Sequence, residues 1–149
     1  MKKMINLIII LGILLVGFGC TDVAVKTDPK CENLTEDDLI GTHLEGDIAW
    51  AKTWCYSNLA EETGELGYCE KIRDHIDKET YNEEDIQAEV DSCYEDVARA
   101  LGDSSICDKI QLAYIKDDCY YYMATDTYNE GLCSKISTTM RRGECIRNI

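Results

Sequence analysis

Apolar positions in the middle of the chain recur at the spacing of a helix face. Ile86, Val90, Cys93, Val97 and Leu101 fall at i, i+4, i+7, i+11 and i+15, with Asn82 placed to cap the start and Gly102 to stop the end. Ile48, Ala51, Cys55 and Leu59 trace a second stripe, and Ile115, Cys119, Tyr122 and Met123 a third. Period-two alternation is nowhere sustained, so the pattern predicts helices and no strands. Each stripe contains one cysteine. The other cysteines sit in shorter segments such as "SSICDKI", just after a turn rich in Gly, Asp and Ser.

With Cys20 set aside, eight cysteines remain: Cys31, Cys55, Cys69, Cys93, Cys107, Cys119, Cys133 and Cys145. Their neighbours sort them into two alternating kinds. Cys69, Cys107 and Cys133 carry Lys at +2 and Ile at +3, with "CENL" at Cys31 a weaker copy; Cys55, Cys93 and Cys119 carry Tyr at +1 and Ala at +5, with Cys145 the fourth of that kind. Self-similarity on this scale marks an array of small units that bury their apolar faces only against each other. The expected fold is therefore all-α: four disulfide-stapled helix-turn-helix units in a short α-solenoid.

Two disulfide ladders fit the spacing. An in-unit ladder (31–55, 69–93, 107–119, 133–145) uses every cysteine and joins the two arms of each helical hairpin at similar heights. A shifted ladder (55–69, 93–107, 119–133) draws on the constant separation between units but strands Cys31 and Cys145. Full use of the thiols favours the first, and the two longer units are then expected to carry arms about six residues longer on each side. Of the aromatics, Tyr122 is expected in the core, Tyr120 at a contact between units, and Tyr121 at the surface as a candidate partner contact. Trp50 and Trp54, four apart on the first helix, are expected to pack against a neighbouring unit.

The N-terminus changes the picture of where this domain resides. "MKK" followed by an apolar run from Ile5 to Val16 has the layout of a secretory signal. The run is short for a bilayer span, which takes about 20 apolar residues. The junction "LLVGFGC" before "TD" resembles the lipobox of bacterial and archaeal lipoproteins, with Gly19 at the small position and Gly17 where that class usually carries leucine. The resemblance implies cleavage after residue 19 and a lipid on Cys20. The expected organisation is a signal peptide (1–19), a lipidated cysteine and polar tether (20–30), and the cysteine-rich helical domain (31–149), anchored to the membrane at the cell envelope. Residues 1–19 hold two lysines and no acid, so their removal leaves 13 basic side chains against 29 acidic ones, a net charge of −16. Such a surface repels nucleic acid and favours cationic partners.

Candidate chemistry is sparse. Among the eight cysteines after Cys20, the closest are 12 residues apart, without the close pair that a redox enzyme or a thiolate zinc site uses. His43 and His75 stand apart among polar residues and read as surface histidines. The acidic runs "EDD" (36–38), "EE" (61–62), "EED" (83–85) and "DD" (117–118) lack the glycine and alternation of a calcium loop and suit helix starts. No catalytic, cofactor or metal residue is assigned. "NLT" at Asn33 matches a glycosylation acceptor, while Thr35 with Asp38 also reads as a capping box. The expected role is binding or structural, with a protein or peptide partner. Two alternatives are a small extracytoplasmic hydrolase built from scattered acids and an inhibitor or immunity lipoprotein. A cleft gathering carboxylates with a histidine would favour the enzyme, and exposed aromatics the binder.

Overall fold

The computed structural model describes residues 29–76 and 78–149; the signal segment and Cys20 lie outside them, as does the tether up to residue 28. Described helices are α1 (Pro29–Glu32), α2 (Ile48–Thr63), α3 (Gly67–His75), α4 (Glu83–Leu101), α5 (Ala113–Thr127), α6 (Glu130–Cys133) and α7 (Thr139–Asn148), with 3-10 turns at Glu36–Leu39 and Ile106–Lys109. The chain is all-helical across these residues, with no strand and no helix long and apolar enough to cross a membrane. Disulfides join Cys31 to Cys55, Cys69 to Cys93, Cys107 to Cys119 and Cys133 to Cys145, with Cα separations of 5.6–5.8 Å. This is the in-unit ladder. Each unit is a short first segment clipped to a longer helix, and the helix packing suits a short helical array.

The units differ in how they spend their length. Unit two spaces its cysteines by 24 residues and unit three by 12. Relative to unit three, α3 runs four residues further past its cysteine, the loop before α4 is four longer, and α4 starts four further ahead of its cysteine. The arms are thus longer by four residues rather than six, because the loop takes an equal share. Unit one departs more: α1 ends one residue after Cys31, and the rest of the spacing is a 33–47 connection holding a single 3-10 turn.

Helix α4 forms where its stripe and caps place it. The Asn82 side chain accepts from the Glu84 and Asp85 amides at 2.9 and 3.1 Å, and Gly102 ends the helix at φ 65°, a left-handed turn that a side chain would strain. Ile86, Val90, Cys93 and Val97 are buried, whereas Leu101 is about half exposed, beside Gly64. On α2 the buried stripe is rotated by one residue from the expected one, and on α5 the expected stripe holds and widens, with Tyr120 rather than Tyr122 inside. Tyr56 and Ala60 are fully buried while Cys55 and Leu59 are partly exposed, and Tyr120 and Ala124 join Ile115, Cys119 and Met123. The isoleucine three residues after each first cysteine, Ile72, Ile110 and Ile136, is likewise buried, at 0–1% exposure.

The tyrosine after each second cysteine reaches the acid after each first cysteine. Tyr94 Oη donates to Glu70 Oε1 at 2.6 Å, and Tyr120 Oη donates to Asp108 Oδ1. In unit one the Tyr56 hydroxyl is the largest cause holding the Glu32 carboxyl below its ordinary value. A buried phenol needs such a partner, so the pair seats each hairpin beside its disulfide. Ser134 and Ile146 hold these positions in unit four. Lys135 of unit four adds a contact from outside, 3.2 Å from Tyr120 Oη and 4.9 Å over its ring, so Tyr120 serves both its own unit and the next.

A second recurrence joins unit to unit. Thr53, Asp91 and Asp117 are the buried polar residues of the described chain, and each stands two residues before a second cysteine. Asp91 accepts from the Gln111 and Leu112 amides at 3.0 and 2.7 Å and from Gln87 Nε2 at 2.8 Å. Asp117 accepts from the Ser137 and Thr138 amides at 2.7 and 2.9 Å and from both hydroxyls at 3.0 and 2.6 Å. These amides lie four and five residues after the next unit's first cysteine, at the entrance to α5 and α7. Leu112 and Thr138 make no side-chain cap there, so a carboxylate from the preceding helix caps each entrance instead. Burial raises the Asp117 pKa, but the bonds from Thr138 and Ser137 outweigh it and hold the group below the usual aspartate range. The corresponding positions after Cys69 are Arg73 and Asp74, inside α3, where the amides are already spent. Threonine suffices at position 53, and its hydroxyl donates to Ala49 O at 3.1 Å.

Candidate functional site

The departure of unit one creates a recess. Thr35 donates to Asp38 Oδ2 from its amide at 2.9 Å and from its hydroxyl at 2.8 Å, fixing the 3-10 turn as the capping box expects. Asn33 beside it is exposed. Gly41 turns the chain at φ 78° and donates its amide to Glu45 Oε2 at 3.1 Å, and Asp47 caps α2 through the Trp50 amide at 3.0 Å. The folded-back segment lays Leu39 and Leu44 on Ala51, with Leu34 and Ile48 against them, as a small apolar cluster separate from the main core.

Between this segment and α2 lies a cleft of about 490 Å³. Leu34, Leu39, Leu44, Ala51 and Leu59 line it with apolar surface; Trp54 and His43 contribute aromatic rings; Lys30, Asp38, Asn58 and Glu62 supply polar groups. Trp54 is 57% exposed, and its ring meets His43 edge-on with centroids 6.3 Å apart. The expectation that both tryptophans pack against a neighbouring unit fails for Trp54. Trp50, 38% exposed, faces a smaller recess of about 140 Å³ with Ile76 and Tyr81. Turning the buried stripe of α2 onto Tyr56 and Ala60 leaves the tryptophans beside it.

Charge around the array is uneven. Bonds from Thr35 hold Asp38 below its ordinary pKa, and Tyr56 first, then His75 and nearby lysines, do the same for Glu32 behind the cleft. These groups stay ionised. On the middle of α4 the opposite holds: burial first, then Asp96 and Asp118, push Glu95 up to about 7, and burial raises Asp96 and Glu89 as well. Asp38 and Glu32 at the N-terminal unit are thus held ionised, as Asp103, Asp108 and Asp117 are further along the array.

The remaining residues singled out from sequence are placed differently. His75 is not a surface histidine: its ring stacks on Tyr56 at 5.2 Å between centroids, and Nε2 lies 3.8 Å from Glu32 Oε1. His43 is exposed, at the cleft. Tyr121 is half-buried rather than free at the surface. Arg141 stacks over its ring at 3.8 Å, and Asn148 Nδ2 donates to its hydroxyl at 2.7 Å. Arg141 is itself held by Asp118 at 2.7 Å and Glu144 at 3.0 Å. The candidate partner contact is thus occupied by the chain's own α7. Tyr122, expected in the core, is half-buried, with Arg99 4.7 Å over its ring. No group of three or more His, Cys, Asp or Glu among the described residues is arranged to hold a metal ion.

Fold and cleft together define a class: a cysteine-stapled helical array with an apolar, acid-rimmed cleft in its first unit. Comparison with protein-family models, with curated proteins and with solved structures finds no match. Four disulfides point to an oxidising, extracytoplasmic environment.

Proposed function

We propose that the protein is a binding module of the cell envelope, exported, tethered by a lipid on Cys20, and taking a basic protein or peptide in the cleft of unit one. The supporting observation is the cleft itself: apolar side chains topped by an exposed Trp54, with Asp38 held ionised beside them. An apolar side chain flanked by lysine or arginine matches it, burying its carbon against Leu39 and Leu44 and placing its charge near Asp38, Glu62 and the Trp54 ring. Lys30 opposes, but the acidic balance of the chain exceeds it.

The test uses a heptapeptide of leucines and lysines against its leucine–glutamate counterpart, read by tryptophan emission in a Trp50→Phe background. Saturable binding of the lysine peptide alone is expected, and Trp54→Ala, which removes the remaining tryptophan and is therefore read by isothermal titration calorimetry, should weaken it by about 2 kcal/mol, roughly thirtyfold. Equal binding of both peptides, or none, would sink the reading. The anchor is checked separately: Cys20→Ala should move the protein from the membrane fraction to the soluble one, since a covalent lipid is what holds it there.

A second reading has its own observation, because His43 shares the cleft with Asp38 and Glu62. That composition is what a small hydrolase would use. The Asp38 oxygen Oδ2 is already spent on two bonds from Thr35, and His43 sets its ring against Trp54, which favours binding. Turnover of a simple ester, lost on His43→Ala, would reverse that preference.

A further inference from the structure

Seven of the eight paired cysteines are 0–1% exposed, and Cys55 is the exception. It is partly exposed because the buried stripe of α2 passes through Tyr56, and it lines the cleft. Its partner Cys31 is fully buried. This disulfide also has a different task from the other three. Those clip arms whose residues interlock in the main core; Cys31 also lies in that core with Cys55 packed against it, but its disulfide in addition holds the 30–44 segment, the far wall of the cleft with its separate small cluster, to α2. Its helpers are few: Lys52 Nζ donates to Glu32 O at 3.1 Å, Glu32 meets Tyr56 and His75, and the small cluster of Leu39, Leu44 and Ala51 supplies the packing.

We propose that the Cys31–Cys55 disulfide is a thiol-exchange site at which an external dithiol reductant, entering through the cleft, releases the cleft wall while the other three staples keep the array folded. A thiolate of the dithiol attacks Cys55 Sγ, the accessible sulfur. The Cys55–Cys31 bond breaks, and Cys31 leaves with the electron pair and takes up a proton. The second thiol of the reductant, losing its proton, then attacks the reductant's own sulfur in the mixed disulfide, which frees Cys55 as a thiolate that takes up a proton and leaves the reductant as its own disulfide, so that two electrons and two protons pass to the protein. Attack follows access, and the buried sulfurs of the other units offer none without unfolding. The exchange itself needs no ligand; only its effect on binding rests on the reading of the cleft above.

The test is a timed reduction of the full-length protein with dithiothreitol, quenched by iodoacetamide and mapped by mass spectrometry. Cys31 and Cys55 are expected to be alkylated at least roughly tenfold sooner than the other six, as rates set by access differ. At that point helical circular dichroism should be largely kept, while acrylamide quenching of Trp54, in the Trp50→Phe background, should rise. Simultaneous reduction of all four bonds, or earlier loss of another, overturns the proposal, as does selective reduction that leaves Trp54 quenching unchanged. A Cys31→Ser, Cys55→Ser double variant should reproduce the quenching of the selectively reduced protein; quenching like that of the oxidised protein counts against the wall's release. Failure of the lysine peptide to bind leaves these readouts untouched, so the two readings fail separately.

Discussion

Replacing Asp91 with alanine is expected to lower the unfolding free energy by about 3 kcal/mol, a large effect for one side chain. The carboxylate is fully buried and accepts from two backbone amides of unit three and from the Gln87 amide. Alanine leaves those donors without it at a helix entrance that has no local cap. An unsatisfied buried donor costs about 1–3 kcal/mol, and two are exposed to that cost here. Water reaching the partly exposed loop would return some of it, so the sum is not doubled. Asparagine keeps one acceptor oxygen but turns an amide donor towards other donors, so Asp91→Asn should fall between alanine and wild type. Urea unfolding checks the order, with the alanine midpoint lower by about 1 M or more for an ordinary dependence on denaturant. A shift indistinguishable from wild type would show that the latch between units two and three contributes nothing net.

Complete reduction is expected to unfold the domain altogether. Disulfides closing loops of 24, 24, 12 and 12 residues contribute roughly 3 kcal/mol each in the chain-entropy model, about 12 kcal/mol for four. A typical domain is stable by about 5–15 kcal/mol in all. The elements are also short: α3 has nine residues, α6 four and α7 ten, below the ~12 to 15 at which an isolated helix is even marginal in water. Prolonged reduction under mild denaturation, followed by circular dichroism at 222 nm, should show loss of most helical signal. Retention of the full signal with eight alkylated cysteines would mean that the apolar core holds the array without its staples.

The fold was largely legible because the cysteines carry two patterns at once. Their neighbours repeat, which divides the chain into units, and their positions on the apolar stripes mark which arm is the longer helix. What escaped was rotation and connection. A stripe read from apolarity alone placed Cys55 and Leu59 inside on α2. The buried residues are Tyr56 and Ala60, because the tyrosine must reach Glu32 across the hairpin. The same shift exposes Trp54 and makes the cleft, so the site was invisible to a reading that packed both tryptophans away. The latch was in plain sight as "DSC" and "DDC", an aspartate two residues before the second cysteine in units two and three. Aligning the units on that cysteine would have exposed it. Weighing acids only as solvated helix starts hid it. Tyr121 was misjudged for a related reason: its cover, Arg141, lies 20 residues downstream on α7, beyond the reach of local periodicity.

The latch also gives the array a direction. Each carboxylate reaches forward, from the second helix of one unit to the amides that open the second helix of the next, so the joints between units two and three and between three and four each have a giving and a receiving end. Gly143 stands at the giving position of unit four and offers nothing to a successor, whereas the amides after Cys107 and Cys133 receive in the same register. That amounts to a rule of head-to-tail growth. A duplicated 26-residue module running from one first cysteine to the next, Cys107 to Cys133, brings its own staple, its own receiving amides and its own aspartate. Inserted between units three and four, it is expected to lengthen the folded array by one unit, which circular dichroism and a disulfide map of the five-unit protein would check.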